Sequence, residues 1–573
     1  MTFSASFSSS SSGAPAVGRS AEYERIAALP RRAYSADDAD ALAALLTARL
    51  RQPDGRKTLL PIQALALAEA LRVGGLFGPI AAGAGKTLIS LLLPIFLRST
   101  RPLLVVPASL ARKTVAERAA YAQAWQLPDF VRVISYEKIS VVSGKTLLED
   151  YQPDAVIFDE AHRLKNAQAA VTRRVKRFLR DRPDVRVAAM SGTMTGRSLR
   201  EYAHIAAWCL RHSPVPVTWH DVEEWAAALD ERVDGGRRRS PGVLLELCDD
   251  DERAIARAGE SLRAARLAYR RRLTDTPGVV ATSESEIGTG LEITTRDLDA
   301  PAVCVDAIAA LRQAWELPDG EVFADAPSLW RHARTLALGW YYRWTTPAPA
   351  AWLDARRAWA AFCRETIAHS RGAYDTELEV ALGCAEGRLP THEYVAWSAV
   401  RDTFKPITEP VWLSDWAVER AIAWAATPGL VWCEHTAFGR RCAEQSGMPY
   451  YGAQALDART GRGIESHRKG SAFVSRMSVS TGQNLQDRWH RNLFVCPPPN
   501  NESTEQALAR THRQGQDADT VSAEIWITCK ENVDAIDRIR AQAEYARDSM
   551  LGAQRVLLAT WISHDGARRG AAY

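Results

Sequence analysis

Three groups of residues in this chain have types and spacings that could do chemistry. The first is Gly83-Ala84-Gly85-Lys86-Thr87, which follows an apolar run at 76–80 and precedes another at 88–93. That is the strand, loop, helix context of a phosphate-binding loop. Glycines at 83 and 85, with the small Ala84 between them, let backbone N–H groups close around phosphates. The helix N-terminus adds its positive dipole end. Lys86 would neutralise the β and γ phosphates of ATP, and Thr87 would ligate Mg²⁺. The fuller loop pattern carries another glycine where Ile80 stands. The second group is Asp154-Ala155-Val156-Ile157-Phe158-Asp159-Glu160-Ala161-His162, an apolar strand delivering two adjacent carboxylates to its end. Asp159 would hold Mg²⁺ through its water shell, and Glu160 would orient and deprotonate an attacking water. The third lies in 506–516, where Gln506, Arg510 and Arg513 share one helix face. Arginines set against a γ-phosphate stabilise charge in phosphoryl transfer; a solvated basic helix is the plainer alternative.

These groups need rigid elements beneath them. Short apolar runs at 76–77, 103–106, 131–134, 155–158 and 187–190 alternate with helical stretches. Runs this short and apolar suit a parallel sheet buried on both faces, and the alternation implies an α/β domain. From 211 to 426 strand-like runs become rare and tryptophans crowd in: Trp315, Trp330, Trp340, Trp344, Trp352, Trp359, Trp397, Trp412, Trp416 and Trp424. They read as the core of a mostly helical insertion rather than as base-stacking groups. Alternation returns at 430–433, 472–474, 493–495 and 524–528, which predicts a second α/β domain. The expected organisation is a flexible tail at 1–20, a first domain at 21–210 with a helical lead, an insertion at 211–428, a second domain at 429–545 and a C-terminal helix and tail at 546–573. Within the insertion, the arginine triplets 237–239 and 270–272 are candidates for holding a polyanionic substrate.

The whole chain is consistent with this. Its 573 residues, 46% hydrophobic and 24% charged, are ample for more than one core. A net charge of +4 neither requires nor excludes a basic groove on a balanced body. The 9 cysteines form no Cys-x-x-Cys pair, which argues against a disulfide framework and a structural zinc site and for a reducing cytoplasm. No apolar run is long enough to span a membrane, and the serine-rich start lacks the apolar core of a secretory signal.

In this order, the three groups resemble the motifs of superfamily-two helicases, and most of all the Swi/Snf-type double-stranded DNA translocases. Leu60-Pro61-Ile62-Gln63 is similar to the adenine-reading segment of that group, with Gln63 as reader. Val106-Pro107-Ala108-Ser109-Leu110 and Ile134-Ser135-Tyr136-Glu137-Lys138 resemble its motifs Ia and Ib, which implies backbone contacts to nucleic acid from Pro107, Ser109, Ser135 and Tyr136. Asp159 to His162 with Arg163-Leu164-Lys165-Asn166 resembles motif II, and Ser191-Gly192-Thr193 resembles motif III. Gly482-Gln483-Asn484-Leu485-Gln486 resembles the end of motif V, with Asn484 at nucleic acid, and 506–516 resembles motif VI. Met194 and the Ser478-Val479-Ser480 run depart from the usual motifs III and V. The resemblance covers 58–210 and 429–528, and compact relatives with this organisation are common in phage and prophage genomes.

The resemblance implies two tandem RecA-like domains, parallel sheets with flanking helices, and a mostly helical insertion between them. It implies an ATP hydrolase with ATP and Mg²⁺, and DNA, duplex favoured, or RNA as partner. Three functions stay open: a DNA-stimulated ATPase translocating on duplex DNA, a strand-separating helicase on DNA or RNA, and an ATP-dependent switch that clamps DNA for a nuclease or replication partner. The catalytic set would be Lys86, Asp159, Glu160, Gln506, Arg510 and Arg513.

Overall fold

The computed structural model describes residues 15–32, 36–81, 83–230, 238–282, 289–314, 316–319, 326–370, 373–405, 407–480, 482–550 and 554–563. Two parallel sheets dominate it. The first contains β1 (Leu76–Gly78), β2 (Pro102–Val106), β3 (Arg132–Ser135), β4 (Ala155–Asp159) and β5 (Arg186–Met190), in the order β1-β5-β4-β2-β3. Every residue of β1, β2 and β4 is buried, as the continuous apolar runs require when helices cover both faces. Asp159 pairs in register with Met190, so the ends of β4 and β5 lie side by side, with β5 separating β4 from β1.

The second sheet has seven strands in the order β10-β11-β9-β12-β13-β6-β14, all pairs parallel. They are β6 (Gly290–Asp297), β9 (Leu430–Cys433), β10 (Tyr450–Tyr451), β11 (Ala472–Ser475), β12 (Arg491–Phe494), β13 (Thr520–Ile527) and β14 (Thr560–Ser563). A separate antiparallel pair joins β7 (Trp340–Trp344) to β8 (Thr408–Trp412).

The stretch expected as one helical insertion has three destinations. Residues 211–282 pack on the first sheet: Trp225, Tyr269 and Leu273 share a core with Phe77 and Phe158. Residues 290–297 form β6 inside the second sheet. The remainder is helical around the β7–β8 pair. There the helices Ala350–His369 and Glu377–Ala385 close a small core of Trp359, Cys363, Tyr374, Val380 and Cys384. Of the tryptophans at 330–424, none is exposed; Trp340, Trp352 and Trp359 are buried, and rings pack on rings, as Trp344 does on Phe404 at 5.3 Å. Trp315 lies outside the described residues.

Two other expectations change. Residues 15–20 are not a tail: Val17 is buried and its N–H donates to the Ser240 carbonyl. Residues 1–14, Arg237 and 564–573 lie outside the described residues. The triplet at 270–272 is turned into the protein rather than offered to a polyanion. Arg272, 1% exposed, donates to the carbonyls of Ile26, Leu29 and Pro30. Arg271 donates to Glu252 and to the Leu247 carbonyl, and Arg270 to the Arg547 carbonyl. Among the described residues, no helix is long and apolar enough to cross a membrane.

Candidate active site

The loop after β1 turns into the helix Lys86–Phe96 through Gly83 and Gly85, with φ of 102° and 75°. Both lie in the left-handed region that glycine adopts without strain. A Cβ on Gly85 would also collide with the Gln63 amide. Gln63, expected to read adenine, clamps this loop: its Nε2 donates to the Ala84 carbonyl at 3.0 Å, and its Oε1 accepts from the Leu60 N–H at 3.0 Å. Lys86 is buried, and its ammonium donates to the carbonyls of Ile80 at 3.2 Å and Ala81 at 3.3 Å. Thr87 follows on the first helical turn, half-buried.

At the end of β4, the buried Asp159 accepts from the Glu160 N–H at 3.0 Å, and Tyr136 donates to the Asp159 carbonyl at 2.8 Å. Glu160 takes a left-handed φ of 56°, a strained choice for a residue with a Cβ. Burial, then the neighbouring Glu160, raises the Asp159 carboxyl, with Lys86 opposing. For Glu160 the burial penalty is outweighed by Lys86 and His162, so this carboxylate is held well below the usual range. The site thus keeps one carboxylate firmly ionised next to the lysine.

His162 ties this end to its surroundings. Its Nδ1 lies 3.0 Å from Ser191 Oγ, beyond the end of β5, and 3.2 Å from Glu160 Oε2. Its Nε2 lies 3.4 Å from Glu502, which also pairs with Lys165 at 2.9 Å. Glu502 belongs to the helix Asn501–Leu508 beside the second sheet, so these contacts join the two halves. That helix carries Gln506 and leads to Arg510. The Arg510 Nε donates to the Gln506 carbonyl at 3.0 Å and its Nη1 to the Gln483 carbonyl at 3.1 Å. Burial, and then Arg513, lowers the Arg510 guanidinium to about 10, which leaves it charged at neutral pH.

One cleft gathers these groups. Ala81, Lys86, Glu160, Gly192 and Thr193 line it from the first half, and Glu505, Gln506, Arg510 and Arg555 from the second. Lys86, Glu160, Gln506 and Arg510 were expected from sequence and meet here. Arg513 does not line this cleft; its Nη1 donates to Asn484 Oδ1 at 2.5 Å. Glu502, Glu505 and Arg555 were not expected. The two glutamates sit within one turn of Gln506. Arg555, on the short helix Arg555–Leu558 in a stretch expected as a tail, is buried and bonded to Glu505 and to the His512 carbonyl.

Lys86, Arg510 and Arg555, set against Glu160 and Glu505, make a donor set suited to a polyphosphate. Two adjacent carboxyls, the buried Asp159 and the half-buried Glu160, suit a divalent cation that offsets their repulsion, with Thr87 near enough in sequence to Lys86 to share it.

The expected nucleic-acid residues are spread along strand ends. Ser109 and Asn484 are exposed. Pro107 is buried at the head of the helix Ala108–Ala122, and Ser135 is buried with its Oγ accepting from the Lys138 N–H. The Tyr136 side chain points inward to Asp159, so a contact from its ring to a nucleic-acid backbone is not what its position offers. The halves also touch where Lys113 donates to the Gly482 carbonyl; Gly482, with φ of 78°, leaves room for Leu110 that a Cβ would fill. No known protein family matches this sequence, and no curated protein does either.

Proposed function

We propose that the protein is an ATP-hydrolysing motor of the superfamily-two helicase type, two RecA-like units translocating on duplex DNA. The observation that carries this is the cleft in which Lys86 and Glu160 of one sheet face Gln506 and Arg510 of the other. Groups contributed from both halves make hydrolysis depend on how the halves meet, and a polymer lying across both would change that meeting. The strand order supports the reading too: the strand before the phosphate loop and the strand ending in Asp159 are separated by one strand, whose end carries Ser191.

In this reading Lys86 binds the β and γ phosphates. Thr87 and Asp159 would hold Mg²⁺, which would supply charge neutralisation on the phosphates. Glu160, kept ionised, accepts the proton of the attacking water. Arg510 stabilises charge on the transferred phosphoryl group, and Arg555, through Glu505 and the His512 carbonyl, fixes the helix end that presents it. His162, between Glu160, Ser191 and Glu502, connects the water-handling carboxylate to the second half.

The test is the ATPase rate with no nucleic acid, single-stranded DNA, duplex DNA and RNA at one salt concentration. Duplex DNA is expected to stimulate most. Glu160→Gln is expected to bind ATP and lose turnover on the order of a hundredfold or more, while Lys86→Ala weakens ATP binding itself. Near-normal turnover in either variant would remove the motor reading, and equal stimulation by RNA would remove the Swi/Snf-type assignment.

A further inference from the structure

A second pocket, of about 480 Å³, opens in the second half and shares no residue with the cleft. Its size falls within the roughly 300–1,000 Å³ of small-ligand sites. The helix Ala326–Ala337 gives it Arg331 and Thr335, one turn apart and so on one face. Strand β7 gives Tyr342 and Trp344, alternate residues on one face of the strand. Thr408, opposite Trp344 across the β7–β8 pair, and His435, just after β9, line it too, as do Ser328 and His332 of the helix Ala326–Ala337. Among the described residues, no carboxylate lines it.

The walls are fixed before any ligand arrives. Trp344 is stacked on Phe404 with 11° between the rings, and Tyr342 meets Trp340 edge-on at 4.8 Å. Burial pushes the His435 imidazole down to about 4; Glu434 opposes this, and Arg334, Arg331 and Arg476 add to it. His435 is therefore neutral at pH 7 and offers one donor and one acceptor. Arg334 is committed to Asn532 and the Pro497 carbonyl, whereas Arg331 is an exposed guanidinium at the pocket, one Nη of which donates to Ser328 Oγ at 3.3 Å.

We propose that this pocket seats one nucleotide unit, with the base against Tyr342 and Trp344 and the phosphate on Arg331. A flat π surface is met by aromatic rings, a phosphate by a guanidinium, and sugar or base-edge groups by hydroxyls and a neutral imidazole. An acidic peptide would use Arg331 and leave the aromatic wall without a purpose. The seat does not depend on hydrolysis in the cleft. The unit comes either from a free nucleotide or from a nucleic-acid strand with an unstacked base, a contact that phosphate tracking on a closed duplex does not need.

The test uses the full chain without ATP, so a dead ATPase leaves the result readable. Binding of a thymidine homopolymer is compared with that of an abasic strand of equal length and charge at fixed salt, with thymidine monophosphate as competitor. The homopolymer is expected to bind roughly fivefold tighter than the abasic strand. Trp344→Leu should erase that difference, Arg331→Ala should weaken both strands, and a bromouracil-substituted strand should crosslink to Tyr342 or Trp344. The crosslink needs no variant and stands even if Trp344→Leu fails to fold. Thymidine monophosphate binding that is lost in Arg331→Ala but kept in Lys86→Ala, without any preference among strands, would assign the seat to a free nucleotide. Equal binding of both strands, crosslinks only elsewhere and monophosphate binding indifferent to Arg331→Ala would overturn the proposal. Displacement by an acidic peptide but not by the monophosphate would also overturn it.

Discussion

The two sheets hold their functional groups by different means. On the first, the groups stand at strand ends: Asp159 is the last residue of β4, Ser191 follows β5, and Lys86 comes one short loop after β1. Buried apolar strands fix them, and β5 lies between the other two. On the second, the facing groups hang on helix ends and are held by polar contacts. Arg510 is bonded to two carbonyls, Arg555 pairs with the buried Glu505, and Asn492 of β12 donates to Thr511 at 3.0 Å. Strand ends shift little, whereas hydrogen-bonded helix ends can be set by docking. The first half thus holds its groups by buried strands, and the second by polar contacts at helix ends.

The sharpest way to break that contrast is within the second half. Arg510→Ala is expected to cost on the order of a thousandfold in ATP turnover with ATP binding largely kept. Arg513, bonded to Asn484 outside the cleft, is expected to behave differently. Arg513→Ala should keep the unstimulated rate and lose the stimulation by duplex DNA. Steady-state rates with and without duplex would show this; equal losses of unstimulated rate in the two variants would mean the arginines act as one unit in the cleft.

A next contrast concerns the helices at 350–385, which hang from the β7–β8 pair yet are tied to the first half. Asp375, buried, pairs with Arg173 at 3.2 Å, Arg174 at 3.3 Å and Arg177 at 3.2 Å of the helix Ala170–Asp181, and Glu379 pairs with Arg174 at 2.8 Å. Removing one partner of a buried pair leaves an uncompensated charge, at about 3 kcal/mol. Asp375→Ala should therefore release these helices. Hydrogen exchange should rise at 350–400 and along 170–181 while the first sheet stays protected. Unchanged exchange would mean the apolar core around Trp359 suffices.

Legibility from sequence followed the same division. In the first half every strand was readable, because strands buried on both faces are continuous apolar runs, as at 103–106 and 155–158. In the second, β9, β11 and β12 were readable for that reason, but of β13 only the part from 524 on, because its start alternates polar and buried residues. β6 was not: of its eight residues only Leu291 and Ile293 are buried, and Thr294, Thr295, Arg296 and Asp297 read as loop. β14 and Arg555 lay in a stretch whose texture resembles a tail. The phosphate loop and the Asp159–Glu160 pair were legible because chemistry restricts residue types at fixed spacing. The fate of Arg270, Arg271 and Arg272 was not, since a basic run carries no mark of whether carbonyls or phosphates will receive it. Arg272→Ala should lower stability by about 2 kcal/mol, read as a reduced urea midpoint, by stranding the carbonyls at 26–30. Its slope of log DNA affinity against log salt should not change. A shallower slope would return this triplet to the substrate.

The smallest expected effect lies where the halves meet at Glu502. Burial works against its charge, but Lys165 and His162 outweigh that, so the carboxylate is held below the usual range and stays ionised at neutral pH. Its side chain is 27% exposed and that of Lys165 14%, so water and salt screen the pair. A partly exposed pair contributes at most about 1 kcal/mol, roughly a fivefold change in an equilibrium. Because the pair spans the two halves, that energy should appear in how readily they come together over ATP rather than in the chemical step. Glu502→Gln removes the charge and keeps the shape. The KM for ATP should rise roughly two- to fivefold with kcat nearly unchanged, and the difference from wild type should shrink as salt is raised. Lys165→Met should give a similar change, and the double variant no more than either single one, because one interaction is being removed twice. Additive effects, or a loss confined to kcat, would show that Glu502 acts through His162 on Glu160 and not as a tie between the halves.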